Sequence, residues 1–516
     1  MKWVKTDLRS WMMALAAVLF GAVMPLAYAP YNMSVVAPLS VLGFYAVLQM
    51  SRTLRMATWI GFIYGFGTFA VGISWIHVSI DQFGGVPLIV SIALMILLCG
   101  YLALFPAMSG WLWYRICHDK PAILSAFAFP SIWLVTEYLR GELLTGFPWL
   151  AMGYSQTHSW LFEWAPIIGV QGIGWLVVFI GVLLTQTVHP KRLVWALPII
   201  ALVGFGTFKA SNFIQAEHTG KFAKVALVQG NVPQIIKWDP ESQWPTMRLY
   251  QDMSRPYYDH DIVVWPEAAI PAVELSAQDY LHNIDSTLAW RESAMITGII
   301  DYQPRTRSYF NNLVVLGRTE SEGENPSYYY GNSNRYSKHH LLPIGEFVPL
   351  GDLLRPLAPL FNLPMSSFSR GDYIQTNLLA NGWKLAPALC YEILFTEQVR
   401  LNVRIDTDFI ITVSNDAWFG DSIGPHQHLQ IAQMRAKELA RPVIRTTNNG
   451  ITAIIDADGS ITDQIPQFEA KVLSAEVNQY RGQTLFSRYG HYPIAILSVL
   501  SILIAAITRR RHSTIR

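Results

Sequence analysis

Eight apolar runs constrain this chain more than any other feature, and seven of them fall within residues 1–212. They lie near 11–28, 34–50, 57–78, 86–114, 122–139, 164–188, 193–211 and 491–508. A helix that crosses a bilayer needs about 20 apolar residues, because no water is available there to satisfy backbone polar groups. The pattern predicts an α-helical polytopic membrane domain of eight spans, with the 86–114 segment tilted or projecting beyond the bilayer. Overall composition agrees: 52% of residues are hydrophobic and only 14% charged. The 18 Trp and 23 Tyr suit the interfacial belts of a membrane protein.

Lys and Arg set the expected orientation. Lys2, Lys5 and Arg9 precede the first run, Arg52 and Arg55 follow the second, and Arg115 and Lys120 follow the fourth. Lys191 and Arg192 follow the sixth, and Arg509, Arg510 and Arg511 follow the last. With eight spans these all fall on one side, and the opposite short loops 29–33 and 79–85 hold no Lys or Arg. Arg140 is the main exception. Both termini are expected in the cytoplasm, and residues 212–490 outside it. A cleaved signal peptide is the competing account of the first run, since Ala27-Tyr28-Ala29 mimics a cleavage site. Pro30 disfavours cleavage, and the charge pattern requires that the helix be retained.

The domains expected are a transmembrane domain over 1–212, a catalytic domain over 213–488, and a last helix with a basic tail over 489–516. The middle segment alternates short β-type runs, such as Ile262-Val263-Val264 and Phe409-Ile410-Ile411-Thr412-Val413, with helix-like stretches such as 425–440. That alternation predicts a layered α/β domain.

Cys390 is the only cysteine of this segment, in Leu389-Cys390-Tyr391-Glu392 after a strand-like run. Trp265-Pro266-Glu267 follows another strand-like run, and Tyr336-Ser337-Lys338 leads into Pro343-Ile344-Gly345-Glu346. Singly, each has an ordinary explanation: a core thiol, a turn carboxylate, a surface lysine. Together they supply what acyl transfer to a thiol needs: a nucleophile, a base and an oxyanion partner. Burial after Pro266 is expected to raise Glu267 towards the working pH. Lys338 would hold developing negative charge, with the backbone N–H after Cys390 as a second donor, and Glu346 would orient Lys338 or share proton transfer. On the oxidising side, a thiol with no disulfide partner in its domain is an improbable idle residue.

These motifs resemble the Glu-Lys-Cys triad of the nitrilase (carbon–nitrogen hydrolase) superfamily. With the helices, the whole chain resembles the bacterial apolipoprotein N-acyltransferases. Supporting strings are Gly146-Phe147-Pro148-Trp149, Val228-Gln229-Gly230-Asn231, Ser414-Asn415-Asp416-Ala417-Trp418-Phe419-Gly420, Gly424-Pro425, Arg441-Pro442 and Asn448-Asn449-Gly450. Ile344 departs from the pattern, where an aromatic is more usual. The resemblance implies an αββα sandwich for the catalytic domain. It implies Cys390 as nucleophile, Glu267 as general base and acid, Lys338 as oxyanion cation and Glu346 as supporting carboxylate. Tyr391 and Glu392 would line and order the site, and Trp238 would contact substrate from a mobile loop.

The activity implied is transfer of an acyl chain from a membrane phospholipid, typically phosphatidylethanolamine, to the N-terminal amine of diacylglyceryl-cysteine apolipoproteins through a Cys390 thioester. The setting would be the bacterial inner membrane, with the catalytic domain in the periplasm and the chain a monomer. Loops 357–361 and 363–365 would dip into the outer leaflet or simply pack. Glu137, Arg140 and Glu142 would touch a headgroup or, the preferred reading, form a structural ion cluster. No cofactor is expected. The pairs His339-His340 and His426/His428 have too few convergent ligands for a closed metal site. No phosphate loop or basic stripe suits nucleic acid. A membrane-tethered amidase with water as acceptor is the main rival. A transporter would be expected to carry more ionisable residues within its spans.

Overall fold

The structure is a computed structural model that describes residues 8–211, 216–320, 327–343, 345–347 and 368–508. Ile344 and the loops 357–361 and 363–365 lie outside the described residues. The chain forms two compact units. One comprises Met1–His77, Pro87–Ile214 and Arg488–Arg516, and the other Val78–Val86 and Gln215–Ser487.

The first unit is helical. Among the described residues, six helical segments are long and apolar enough to cross a membrane: Leu8–Ala27, Leu54–Gly72, Leu88–Ile116, Ala122–Thr145, Trp160–Thr187 and Pro190–Ala210. Two further apolar helices, Val36–Gln49 and Tyr492–Ile507, have 14 and 16 residues. At 1.5 Å per residue each reaches roughly 21–24 Å, less than the ~30 Å of a typical hydrocarbon core. The expectation of eight spans is thus met by six helices of sufficient length. The third apolar run also ends earlier than expected, at Gly72, and the chain continues in the short turns Ile76–Val78 and Ser79–Phe83.

Small residues let these helices approach closely, since lipid gives no hydrophobic drive between them. A Cβ on Gly61 would lie 2.2 Å from the Pro106 carbonyl oxygen, and one on Gly110 would lie 2.3 Å from that of Ala57. Helices Leu54–Gly72 and Leu88–Ile116 therefore meet backbone to backbone. Arg140 is buried, and its guanidinium donates to the carbonyls of Phe147 at 2.7 Å and Trp149 at 2.5 Å, with Glu137 3.5 Å away. It ties a helix end to the following loop, as a structural ion cluster would.

The second unit is a two-sheet sandwich. Its strands are β1 (Ala216–Gln229), β2 (Ile262–Val264), β3 (Ile270–Val273), β4 (Ala294–Gln303), β5 (Ser308–Gly317), β6 (Arg335–Ser337), β7 (Leu378–Ala380), β8 (Trp383–Pro387), β9 (Phe409–Ser414), β10 (Val443–Thr447), β11 (Thr452–Ile455), β12 (Ile461–Ile465) and β13 (Lys471–Gly482). One sheet runs β13-β1-β2-β4-β5-β6, with β3 also paired to β4, and the other runs β12-β11-β10-β9-β8-β7. Strand alternation sorts the core. Val225, Leu227, Ile262 and Val264 pack inward against Leu385, Phe409, Ile411 and Ile444 of the facing sheet. Their neighbours Ala226, Val228, Val263 and Trp265 face outward onto Met247, Tyr250, Leu281 and Ile284 of helices Pro240–Ser254 and Gln278–Trp290. Helix Gly424–Leu439, almost wholly buried, covers the second sheet, giving α-β-β-α layers. Parallel β1-β2-β4 and β8-β9-β10 carry the site at their C-terminal ends.

Candidate active site

Glu267 follows β2 after Trp265-Pro266. The Trp265 N–H donates to the Ile296 carbonyl at 2.9 Å, and its indole donates to Ser254 Oγ at 2.6 Å, so the strand end is held on both sides. The turn then presses on β4. A Cβ on Gly298 would lie 2.5 Å from the Ala268 nitrogen and 2.9 Å from Glu267 Cα, so glycine is required there. Lys338 directly follows β6, its N–H donating to the Asn311 carbonyl at 2.9 Å. Cys390 lies three residues past β8, after Ala388 donates to the Ile411 carbonyl, and its φ of +53° places it in the left-handed region. A non-glycine residue there is strained, and the strain persists only where surroundings impose it.

Glu392 is part of what imposes it. It is completely buried. Oε2 accepts from the Leu389 N–H at 2.8 Å and from the Tyr336 hydroxyl at 2.8 Å. Oε1 accepts from the N–H groups of His339 at 2.7 Å and His340 at 3.0 Å, and from Gln398 at 3.1 Å. One carboxylate thus joins the Cys390 turn to the segment after Lys338.

Glu267, Lys338 and Glu346 form a row, with Lys338 and Glu267 buried and Glu346 partly so. Lys338 Nζ lies 3.3 Å from Glu267 Oε1 and 2.8 Å from Glu346 Oε2. Asn311 Nδ2 donates to both carboxylates, at 2.8 and 3.0 Å. The Asn415 N–H donates to Glu267 Oε2 at 3.0 Å. Burial alone would raise Glu267, as expected from sequence. The Lys338 cation, the Asn311 hydrogen bond, Lys237 and the Asn415 N–H outweigh it, and the carboxyl is held below its ordinary range. Burial pushes Lys338 down, yet Glu267 and Glu346 more than reverse this and lift it well above the usual lysine range. Burial, with the Glu267 carboxylate beside it, drives the Cys390 thiol well up, against the opposing pull of Lys338. The resting arrangement is therefore carboxylate, ammonium and thiol.

Of the other expected residues, Tyr391 is buried and packs edge-on against Phe395, with centroids 5.2 Å apart. Trp238 stands partly exposed on the turn before helix Pro240–Ser254. Its neighbour Lys237, which the sequence reading missed, is buried and donates to the Glu267 carbonyl at 3.0 Å. Burial lowers it to about 8. Also missed was a second cluster, behind Cys390. Asp416 accepts from Arg445 Nη2 at 2.6 Å and lies 3.1 Å from His428 Nδ1, while His428 Nε2 lies 3.1 Å from the Cys390 carbonyl. His428 was weighed only as a metal ligand; as a donor to the Cys390 carbonyl it carries no sequence signal of its own.

Comparison with known proteins places this geometry. Residues 20–183 match the apolipoprotein N-acyltransferase N-terminal domain, and residues 224–485 match the carbon-nitrogen hydrolase family. The chain is 49% identical over 500 residues to the apolipoprotein N-acyltransferase of Photobacterium profundum, covering 97% of this chain and 95% of that protein. The chain belongs to the apolipoprotein N-acyltransferase family. Relatives of that name from Shewanella oneidensis and Vibrio cholerae are each 48% identical, over 96% and 94% of this chain and 96% and 94% of their own lengths. The protein is thus an enzyme, an acyltransferase with a nitrilase-like domain and a helical unit built for the membrane.

Proposed function

We propose that the enzyme moves an acyl chain from a phospholipid such as phosphatidylethanolamine to the N-terminal amine of a diacylglyceryl-cysteine apolipoprotein, through a thioester on Cys390. The observation that carries this reading is the row Glu267–Lys338–Glu346 coupled to a thiol on a strained turn. Cys390 Sγ attacks the ester carbonyl as its proton passes to Glu267 Oε. Lys338 stabilises the oxyanion. Collapse breaks the acyl C–O bond, Glu267 returns the proton to the leaving alkoxide, and lysophospholipid departs. The apolipoprotein amine then attacks the thioester, Glu267 accepts the amine proton, and the C–S bond breaks as that proton returns to sulfur. Two substrates in turn at one nucleophile give ping-pong kinetics.

The directions of the proton affinities add a constraint. A thiol held up beside a carboxylate held down does not ionise spontaneously, so proton transfer accompanies attack. Glu346 keeps Lys338 charged and aimed, Glu392 and Tyr391 order the turn, and Trp238 meets substrate at the rim. The 14- and 16-residue helices complete eight spans, tolerated by local thinning of the bilayer. The catalytic unit then works on the periplasmic side of the inner membrane, with both termini cytoplasmic and the enzyme monomeric.

The test is intact mass after incubation with phosphatidylethanolamine vesicles, beside Cys390→Ala. An added acyl mass, removed by neutral hydroxylamine, absent in the variant and discharged by a diacylglyceryl lipopeptide, is expected. Free fatty acid without adduct or lipopeptide transfer would instead show a hydrolase.

A further inference from the structure

Ser414, the last residue of β9, is completely buried and touches the nucleophile. Its Oγ is 3.3 Å from Cys390 Sγ and 2.5 Å from Asp416 Oδ1. A hydroxyl has one proton, and both neighbours are possible acceptors. The shorter contact decides between them. An O···O distance of about 2.5–2.7 Å belongs to a hydroxyl bonded to an ionised carboxylate. Asp416 is ionised: burial would raise it, but the Arg445 guanidinium at 2.6 Å leads the interactions that hold it down to about 2. The Ser414 proton therefore lies along the line to Asp416, and a lone pair faces sulfur. A sulfur that meets a lone pair at 3.3 Å is favoured as S–H and disfavoured as thiolate.

We propose that Ser414, locked by Asp416, is the resting acceptor of the Cys390 S–H and holds the nucleophile as a thiol until substrate arrives. This rests on Cys390 being the nucleophile. The charged groups acting on its sulfur include Lys338, which favours the thiolate, and Glu267 and Asp416, which oppose it. Lys237 is electrostatically coupled to it as well. Glu346 sits beyond Lys338, and Arg445 sits beyond Asp416. His428, pushed low by burial and by Arg445, is neutral, with Nε2 facing the Cys390 carbonyl at 3.1 Å and Nδ1 facing Arg445 Nη2 at 3.2 Å. Glu392 holds the backbone at Leu389. Ser414 and Asp416 are thus the resting proton hold on one side of sulfur, opposite in effect to Lys338. A thiol so held resists oxidation and premature reaction, since the thiolate is the reactive species.

The experiment follows the rate of iodoacetamide alkylation of Cys390 against pH in the full-length detergent-solubilised enzyme, read by peptide mass so that Cys99 and Cys117 do not interfere. In Ser414→Ala the midpoint should fall by about one pH unit, which is about tenfold faster alkylation at pH 8. In Asp416→Asn the hydroxyl is freed to donate to sulfur, and the midpoint should fall at least as far. An unchanged or higher midpoint in Ser414→Ala overturns the proposal, because Ser414 would then be idle or a donor to the thiolate. A second measurement needs no folded Ser414 variant: the infrared S–H band of the native enzyme minus that of Cys390→Ala. It should be shifted to the lower frequency of a hydrogen-bonded donor, and a band at the free-thiol frequency overturns the proposal. Both readouts report thiol ionisation whether or not acyl transfer occurs, so this proposal and the acyltransfer mechanism fail separately.

Discussion

Two ionic clusters flank Cys390, and they are built differently. The front cluster, Glu267–Lys338–Glu346, sets one cation between two carboxylates, whose side chains are 10% and 13% exposed. The rear cluster, Asp416–Arg445–His428, has side chains only 0–1% exposed and sets one carboxylate between a guanidinium and a neutral imidazole. A charge left partly accessible can meet a substrate; one sealed on every side can only act through its neighbours. On the proposed mechanism the front cluster would carry the chemistry, and the rear one would hold the turn and the thiol in place.

The largest effect that would break this division is at the nucleophile. Cys390→Ala should abolish acyl-enzyme and lower turnover by at least ~10⁴-fold, read by lipopeptide acylation. Lys338→Met should cost about 10²–10³-fold in kcat, the usual loss for an oxyanion partner, with KM for the donor little changed. Glu346→Gln should cost less, about tenfold, because Lys338 keeps Glu267 as a counterion; a loss as deep as that of Lys338→Met would place Glu346 in the chemistry itself.

The rear cluster should answer in stability first. Arg445→Met leaves Asp416 buried without its guanidinium, a change that typically costs about 3–5 kcal/mol, visible as a lower thermal unfolding midpoint of the catalytic unit. The pH response should follow Asp416. Its carboxyl is about 2 in the folded chain and about 3.9 when unfolded, so the stability it contributes is complete above pH 4 and is lost as pH falls towards 2. Asp416→Asn should flatten that limb of a stability–pH curve. The smallest effect concerns Lys237. With a folded value of about 8 against an unfolded value of about 10.4, it binds protons more readily unfolded, so its cost should fade as pH rises from about 8 to about 10. The stability gap between the native chain and Lys237→Met should shift by that sign across that window, and a flat gap would mean that the ammonium is solvated.

The apolar runs were legible because a lipid-facing helix must be apolar along its whole length, so the signal is contiguous. A layered α/β domain was legible in the strand runs, and the sandwich only through the family resemblance; in the fold Val225 and Leu227 point one way and Ala226 and Val228 the other. Glu267, Lys338 and Cys390 stood out as candidates because each follows a strand in a distinctive local string. Asp416, Arg445 and Ser414 were not, although Ser414 and Asp416 sit in a string singled out for its resemblance. Their partners come from β9, β10 and helix Gly424–Leu439, and no local pattern encodes which polar residues will share a carboxylate.

The sequence by itself determined two kinds of region, an apolar helical one and an α/β one, and the residue types available for thiol acyl transfer. These follow from contiguous patterning and from intrinsic side-chain chemistry. Only the tertiary structure decided their charge states. Burial alone predicted a raised Glu267, but Lys338 at 3.3 Å and Asn311 at 2.8 Å reverse the sign. It also decided that Glu392 acts on backbone N–H groups some 50 residues away and that Ser414 Oγ sits between Cys390 Sγ and Asp416 Oδ1. Desolvation is a property that a residue type suggests. The compensating charge at contact distance is a property of the folded chain alone, because electrostatic energy depends on separations that the sequence does not contain.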